Sequence, residues 1–488
     1  MLTLRAEHLA EIADRLATPS YPRATITPSI VHIGVGGFHR AHQAMFLDRL
    51  LATGEERWGI CGVGLLPGDA AMRDIMHRQQ NLYTLVTTGA DGDHQARVIG
   101  SIVEYLYAPD DTTQVLERLT NPATRIVSLT ITEGGYPVDN HNRRFDAGHV
   151  TIATDLAAPH TPSTAFGLLA EALRRRRDAG TEPFTVLSCD NIQGNGEIAR
   201  IALEGYARLR DASLADWIAK HVAFPNSMVD RITPATTEQG RQLVRDHFGV
   251  DDEWPVLTED FAQWIIEDRF PQGRPAFESV GVQLVDDVEP YEMMKLRILN
   301  ASHQVLSYLG LLEGYRYVHE VCRDPEFATF ILEYMIEEAV PTLRAVPGID
   351  PVEYCRQVLQ RFTNTAIADT LERQVVDGTE RMSKFLVPVI REQQARGGST
   401  MRAALVVAAW CEFSRGAGED SRHLPVHDRQ AAAADAAATA EQAQPGTFLN
   451  LPSLAGIGND SRFREEFIAS RSLLREQGVR AALRAARS

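Results

Sequence analysis

The segment SIVHIGVGGFHRAHQAMFLDRLL, residues 29–51, decides the fold class of this chain. It begins with a short apolar run rich in β-branched residues, passes through a glycine turn and continues with helical apolar spacing. A buried strand, a tight turn and a helix in this order form the start of a βαβ unit. The segment therefore predicts a parallel sheet with helices on its faces.

Further apolar strand patterns follow and alternate with helical stretches such as TAFGLLAEALRRRRDAG, residues 164–180. Continuous runs of this kind are typical of parallel strands buried on both faces. They are WGICGVGLL (58–66), YTLVTTG (83–89), ARVIGSIVEYL (96–106), RIVSLTITEGGY (125–136) and FTVLSCDN (184–191). From Asp286 onward long helical patterns take over. We therefore predict a Rossmann-like, mostly parallel α/β domain over residues 1–285 and a mainly α-helical domain over residues 286–488.

The composition is that of an ordinary globular protein, with 44% hydrophobic and 23% charged residues. Its formal charge of −16 argues against a nucleic-acid or anionic-membrane partner, because both require a positive face. The five cysteines are far apart and form no CxxC pair, so neither a disulfide framework nor a thiolate zinc site is expected. Since no signal-like start or apolar run of about 18 residues occurs, we expect a cytoplasmic protein without a membrane partner.

The glycine turn has part of a dinucleotide-binding pattern. Gly34 and Gly36 fit the first two places of GxGxxG, whereas His39 occupies the third and Gly37 is an extra glycine. Such a turn lets the backbone approach a pyrophosphate at the N-terminus of a helix. A plain tight turn would also explain GxG alone. The preceding strand and the following helix favour the dinucleotide.

Asp69 follows the second predicted strand, where the adenine ribose of a dinucleotide would lie. A carboxylate there accepts hydrogen bonds from the 2′-hydroxyl and repels a 2′-phosphate, so Asp69 predicts NAD over NADP. It lies further from Gly36 than the usual ~20 residues, and Arg73 nearby could meet a phosphate. A solvated loop aspartate is the alternative interpretation.

Polar residues end several predicted strands, where ligands bind in sheets of this type. Thr132 and Glu133 end one strand, and Asp190 and Asn191 end another. The Asn191 amide could donate to a developing oxyanion or could cap the following turn. Asp230, in the segment FPNSMVDRITP (224–234), is predicted to lie in a loop, where it could bind polyol hydroxyls or pair with the adjacent arginine.

The segment YEMMKLRILNASHQVLSYLG, residues 291–310, places a lysine in an apolar helical pattern. Lysine occurs only at positions 220, 295 and 384, and every other basic residue is arginine. A lysine in a dry pocket can have its pKa lowered enough to act as a base, whereas an arginine cannot. We therefore interpret Lys295 as a candidate general base at the start of the helical domain, where two domains commonly form a pocket.

Helical spacing groups other polar residues with this lysine. At about 100° per residue, Asn300, His303 and Glu292 share a broad face with Lys295, and Asn300 lies furthest from it, at roughly 140°. Arg297 falls on the other side of the helix. The alternative is a partly buried helix in which Lys295 pairs with Glu292 and the other side chains bond to backbone.

Five ordered motifs together resemble the polyol-specific long-chain dehydrogenases, the mannitol dehydrogenase family. The motifs are IGVGGFHRAHQA (33–44), SLTITEGGY (128–136), SCDN (188–191), FPNSMVDRITP (224–234) and the KxxxxNxxH pattern of Lys295, Asn300 and His303. The resemblance covers nearly the whole chain and is weakest in the Ala-rich C-terminal part. It implies metal-independent oxidation of a secondary alcohol, with hydride passing to NAD.

The resemblance also implies roles for individual residues. Lys295 would take the alcohol proton, Asn191 and Asn300 would form the oxyanion hole, and His303 would help to hold the substrate. Sugar hydroxyls would bind Asp230 and Arg373, and Glu292 would relay the proton to solvent. The cofactor contacts expected around the glycine turn and the strand ends are Gly34, Gly36, Gly37, Phe38, His39, Arg40, Asp69, Thr132 and Glu133.

The expected reaction is the interconversion of D-mannitol and D-fructose, with D-arabinitol or D-sorbitol as alternative substrates. A fructuronate or tagaturonate reductase is a second alternative, for which Arg373 is the candidate cationic clamp. The third is an NAD(H)-sensing protein without turnover, which the intact set of Lys295, Asn300 and His303 disfavours. No metal-binding motif occurs in the sequence. A monomer is expected, with a dimer left open.

Overall fold

The computed structural model describes residues 1–89, 92–139, 142–415 and 427–487. The chain divides into two units between Val288 and Glu289. The first unit contains residues 1–89 and 93–288, and the second contains Gly92 and the residues from Glu289 onward. The predicted fold class, a Rossmann-like α/β part followed by a mainly helical part, is confirmed.

A five-stranded, fully parallel sheet forms the centre of the first unit. In spatial order its strands are Thr185–Ser188, Ile126–Leu129, Ile30–Ile33, Ile60–Gly64 and Ile102–Tyr107. The strand Ile30–Ile33 lies in the middle; the next two strands of the sheet along the chain lie on one side of it, and the last two lie on the other side. This reversal of strand order is the topological switch point at which such sheets bind ligands.

Helices cover both faces of this sheet. Val31 and its neighbours pack into one apolar cluster with Leu169 and Leu203, whereas Ile30 packs into another with Phe46. Alternate strand residues therefore enter different cores, as expected for a sheet buried on both faces. The helices of this unit are Leu9–Ile12, Gly37–Ala41, Gln43–Leu51, Ala70–Arg78, Thr112–Thr120, Val150–Ala157, Ala165–Ala179, Asn195–Arg210, Ala212–His221 and Glu238–Phe248.

One predicted member of the parallel sheet, and the first half of another, lie elsewhere. The strand Tyr83–Thr88 pairs antiparallel with His94–Ile99 and parallel with Val256–Glu259, which gives a separate three-stranded sheet. The segment predicted as one strand over residues 96–106 is broken at Gly100, whose backbone N–H donates to the buried Asp48 carboxylate at 2.9 Å. Apolar content alone could not show this break, because Asp48 is distant in sequence.

Asp230 does not lie in a loop as predicted. It ends the strand Ser227–Asp230, which pairs antiparallel with Gln263–Glu267, and Gln283–Val285 extends this small sheet in parallel. Two further strand pairs join Leu2–Thr3 to Val250–Asp251 and Val138–Asp139 to Arg144–Phe145.

The second unit is built from helices around the buried helix Ala301–Glu313. Its other α-helices are Glu289–Met294, Val318–Arg323, Pro325–Glu333, Pro351–Phe362, Leu371–Gln374, Gly378–Arg381, Val387–Arg396, Met401–Ser414, Ala431–Ala440 and Ser461–Ala485. Three π-helical segments, Lys295–Asn300, Tyr334–Ala339 and Met382–Leu386, interrupt longer helical runs. No helix in the described part of the chain is both long and apolar enough to cross a membrane.

Glu338 is a buried carboxyl that joins two helical segments of the second unit. It lies in the π-helical segment Tyr334–Ala339, and its carboxylate accepts hydrogen bonds from the backbone N–H groups of Arg402 (2.8 Å) and Ala403 (3.0 Å). These two residues belong to the first turn of the helix Met401–Ser414. Burial raises the pKa of Glu338 to about 7, although both backbone hydrogen bonds lower it.

We predict that Glu338 makes stability depend on pH. Its folded-state pKa lies above the ordinary value of 4.5, so the contribution of the protonated carboxyl is complete below pH 4.5 and is lost as the pH rises through about 7. Glu338→Gln removes this titration. The difference in unfolding free energy, wild type minus variant, should fall by roughly 2–3 kcal/mol as the pH rises from 5 to 8. Urea unfolding at each pH measures this difference. Glu337→Gln, at a half-exposed neighbour, should reproduce the wild-type dependence.

Candidate active site

The glycine turn of the first unit is fixed against a neighbouring strand end. Gly34 has a φ of +95°, and a Cβ added there would lie 2.1 Å from the carbonyl oxygen of Thr130. The Thr130 hydroxyl also donates to the Gly34 carbonyl at 2.6 Å. Both the left-handed backbone and the close approach require glycine at this position.

The next two glycines border open space. Apart from its chain neighbours, no atom of the described residues lies within 4 Å of a Cβ added at Gly36; at Gly37 the nearest atom outside the local backbone is a Thr233 methyl group at 3.8 Å. Gly36 precedes the short helix Gly37–Ala41, so backbone N–H groups lie at the edge of this space. The turn therefore fits a ligand that approaches the backbone closely, such as a pyrophosphate.

Two residues of the glycine segment have their side chains in the interior. His39 is buried and stacks on His32 with ring centroids 3.4 Å apart, and burial lowers its pKa well below the ordinary value. Arg40 is also buried, and its guanidinium donates to the Trp254 carbonyl at 2.6 Å. The expected contact of His39 and Arg40 with a cofactor stays a prediction, and the burial of both side chains leaves the backbone as the part that would make the contact. Phe38, which is half-buried, stacks on His42.

Asp69 lies at the end of a short 3-10 helix, Pro67–Asp69, after the strand Ile60–Gly64. Its Oδ2 accepts hydrogen bonds from the backbone N–H groups of Leu65 and Leu66, each at 2.9 Å. Because both bonds use Oδ2, Oδ1 is the oxygen that would accept from a ribose hydroxyl. Arg73, the possible phosphate ligand, donates instead to two acidic side chains, Asp74 and Asp110.

Thr132 has a backbone conformation that is normally restricted to glycine, with φ 61° and ψ 168°. The buried Asp190 carboxylate holds it by accepting hydrogen bonds from the N–H groups of Thr132 (2.8 Å) and Ile131 (3.1 Å). The Tyr136 hydroxyl donates to the same carboxylate at 2.6 Å. Asp190 thus connects two strand ends and orients the turn that contains Glu133, a role that its sequence position did not indicate.

Asn191 and Asp230 differ in exposure. Asn191 directly follows Asp190, and its side chain is exposed, so it is accessible to a ligand. Asp230 is buried at the end of its strand. The anchoring of Asp190 fixes the backbone from which the Asn191 amide projects.

The helix of the second unit changes type at Lys295. Residues 295–300 form a π-helical segment, in which hydrogen bonds join residues five apart, between the α-helices Glu289–Met294 and Ala301–Glu313. Asn300 lies five residues after Lys295, so the wider turn stacks the two on one face. In an α-helix the two would lie roughly 140° apart around the axis. Segments of this kind occur frequently at functional sites.

Four residues of this helical run that were predicted to belong to the site are buried to a similar extent. Glu292 is 9% exposed, Lys295 7%, Asn300 8% and His303 8%. Of the three lysines, all of which the structure describes, Lys295 alone is buried. Arg297 was expected on the other side, and it pairs there with Glu392 at 2.8 Å.

His303 has a nitrogen suited to bind a substrate. Its ring packs on Phe362 with centroids 4.5 Å apart, and its buried Nε2 has no hydrogen-bond partner among the described residues. Burial lowers the pKa of His303 to about 3, so the imidazole is neutral near pH 7. A substrate hydroxyl is the type of group that would satisfy Nε2.

Arg373 is exposed and donates two hydrogen bonds to Asp369. The four-residue spacing of Asp369 and Arg373 is a sequence signal for this ion pair, and Asp369 lies just ahead of the helix Leu371–Gln374. Within the described ranges, no group of three or more His, Cys, Asp or Glu side chains is placed to hold a metal ion.

Two family models match the chain: the mannitol dehydrogenase Rossmann domain over residues 28–279 and the mannitol dehydrogenase C-terminal domain over residues 287–473. The chain belongs to the mannitol dehydrogenase family. The resemblance inferred from the five motifs is therefore confirmed.

Relatives in this family match over nearly the full length. Mannitol 2-dehydrogenase of Phaeosphaeria nodorum is 43% identical, over 99% of this chain and 85% of the relative, and that of Aspergillus terreus is 43% identical over 98% of both. Pseudomonas fluorescens mannitol 2-dehydrogenase, solved as a ternary complex with NAD and D-mannitol, is 45% identical over 99% of both chains with a TM-score of 0.89. A substrate-free D-sorbitol dehydrogenase is 38% identical, with a TM-score of 0.91 over 99% of this chain and 100% of that chain.

We predict that Gly36→Ala separates cofactor binding from folding. The backbone at Gly36 suits alanine and the added methyl group meets no described atom, so stability should stay within about 1 kcal/mol of wild type. The methyl group should obstruct the pyrophosphate and raise the Kd for NADH at least tenfold, measured by fluorescence titration. Gly34→Ala, in contrast, should lower the melting temperature. Unchanged NADH affinity in Gly36→Ala would contradict this interpretation.

We also predict that His303 does not shape the pH profile of activity. With a pKa of about 3 the ring keeps its charge constant between pH 5 and pH 10. His303→Asn should lower kcat/KM for polyol oxidation at least tenfold, through loss of the Nε2 contact. The apparent pKa values of the variant, measured from the dependence of kcat/KM on pH between pH 5 and pH 10, should match those of the wild type. A displaced acidic limb in the variant would show that His303 titrates.

Proposed function

We propose that the chain catalyses the NAD-dependent interconversion of D-mannitol and D-fructose. Its family makes it an NAD-dependent polyol dehydrogenase. The observation that supports the finer assignment is the 45% identity, over 99% of both chains, to the P. fluorescens enzyme that binds NAD and D-mannitol.

The cofactor would be held by residues of the first unit. Gly34, Gly36 and Gly37 would admit the pyrophosphate to the backbone, and Asp69 would accept hydrogen bonds from the adenine ribose. Thr132 and Glu133 would contact the cofactor from the next strand end. When bound, NAD accepts the hydride that leaves the alcohol carbon.

Lys295 would act as the general base. Removal of hydride from an alcohol carbon requires that the hydroxyl proton leaves, and the Lys295 amine would accept that proton. Burial disfavours the charged amine and so favours this role, whereas the nearby carboxyl of Glu292 opposes it. Glu292 would then relay the proton to solvent. In the reductive direction the charged Lys295 donates the proton to the carbonyl oxygen.

The remaining polar residues would orient the substrate and stabilise its oxygen. Asn191 and Asn300 would donate amide hydrogen bonds as negative charge grows on the reacting oxygen, a contribution typically worth on the order of 100-fold or more in turnover. His303 Nε2 would bond to a substrate hydroxyl, and Asp230 and Arg373 would bind further hydroxyls. These groups need no metal ion.

D-sorbitol is the alternative substrate that a specific observation favours. The substrate-free D-sorbitol dehydrogenase matches the same length of chain with a TM-score of 0.91, at the lower identity of 38%. D-sorbitol and D-mannitol differ in the configuration of one hydroxyl, so a few pocket contacts decide between them. A screen of D-mannitol, D-sorbitol and D-arabinitol with NAD and NADP at 340 nm would rank them.

We predict that Lys295→Ala abolishes the base and leaves the cofactor in place. The kcat for D-mannitol oxidation should fall by about 10²–10⁴-fold, as is typical for loss of a general base. The Kd for NADH should change less than threefold. Lys384→Ala is the matched control, because Lys384 is half-exposed and pairs with Glu380 at 2.7 Å. Near-normal turnover by Lys295→Ala would refute the mechanism.

A further inference from the structure

Arg373 is paired with a buried carboxylate. Its Nε donates to Asp369 Oδ1 and its Nη2 donates to Asp369 Oδ2, both at 2.7 Å. The Asp369 side chain is 6% exposed, whereas that of Arg373 is 60% exposed. Such a two-pronged pair uses the face of the guanidinium that would otherwise bind a carboxylate. Asp369 therefore neutralises the charge of Arg373 and occupies its best anion-binding edge.

Other hydrogen bonds fix the Asp369 carboxylate. Gln374 Nε2 donates to Asp369 Oδ2 at 2.7 Å, and Arg381 donates to Gln374 Oε1 at 3.1 Å. The Gln374 carbonyl in turn accepts from Gln304, the residue next to His303, at 3.1 Å. This network ties the carboxylate to the helix Ala301–Glu313, which contains His303 and directly follows the segment of the proposed base.

The same charges act on His303. Burial is the main cause of its low pKa, Asp369 opposes it, and Arg373, Arg381 and Arg361 add to it. Three guanidinium groups and one carboxylate therefore lie near the nitrogen proposed to bind substrate. Removal of the Asp369 carboxylate would make this region more cationic and would favour an anionic substrate.

We propose that Asp369 determines the charge class of the substrate. By holding Arg373 as a neutralised donor, Asp369 makes the site select uncharged polyols and ketoses and reject sugar acids of the same length. A substrate carboxylate would have to displace Asp369 from the guanidinium and would be repelled by it. The inference rests on the proposed function, and it assigns a specificity role to a residue that need not touch the reacting carbon.

The test compares two ketoses that differ in charge. Reduction of D-fructose and of D-fructuronate by NADH would be measured with the wild-type protein and with Asp369→Asn. This substitution keeps the shape of the side chain and removes its charge. We expect kcat/KM for D-fructose to fall several-fold and the ratio of D-fructuronate to D-fructose kcat/KM to rise at least tenfold. A purely structural role would lower both values together and leave the ratio unchanged, which would overturn the proposal.

Two further variants isolate the charge. Asp377→Asn removes another aspartate that pairs with an arginine, Arg429, and should leave the ratio at the wild-type value. Adding Arg373→Gln to Asp369→Asn should cancel the gain on D-fructuronate, because the released guanidinium would be absent. A gain that survives in the double variant would contradict the proposal.

A measurement on the wild-type protein decides the question if Asp369→Asn does not fold. D-fructuronate should inhibit D-fructose reduction only weakly, with a Ki at least tenfold above the KM of D-fructose. Inhibition at or below that KM would overturn the proposal. Absence of wild-type turnover with D-fructose and D-mannitol would instead refute the proposed function, so the two failures are distinguishable.

Discussion

The pairing of the strand Ile30–Ile33 with a parallel neighbour on each side is the constraint on which the first unit depends. Ile60–Gly64 pairs on one side and Ile126–Leu129 on the other, so the carboxyl ends of three strands share one edge of the sheet. The chain must turn sharply there, with Gly34 against the Thr130 carbonyl. That contact excludes any side chain at position 34. In the space beyond it, the pyrophosphate of a cofactor can approach the protein backbone.

Buried carboxylates hold proposed functional residues in both units. Asp190 fixes the strained Thr132 backbone and the start of the Asn191 turn, and Asp369 fixes the Arg373 guanidinium. Each carboxylate accepts three or more hydrogen bonds, and removing one partner would leave buried polar groups unsatisfied. Orientation is therefore enforced by residues that lie behind the proposed contacts.

The π-helical segment has a comparable effect on Lys295 and Asn300. An α-helix would turn these two residues away from each other, whereas the wider turn stacks them on one face. The helix Ala301–Glu313, which follows this segment, is buried. Its packing can stabilise the π-helix, which is rarely stable alone. A buried amine and an amide on the same face match the needs of proton transfer at a carbon–oxygen bond.

The sequence by itself determined the strand–glycine–helix start, the parallel sheet, the helical second unit and the family, because each depends on apolar periodicity or on residues close together in the chain. It also singled out Lys295 by its rarity and setting. Only the tertiary structure decided that His39, Arg40 and Asp369 are buried and that residues 295–300 form a π-helix. Burial and helix type depend on packing against residues distant in sequence, and local spacing does not specify those partners.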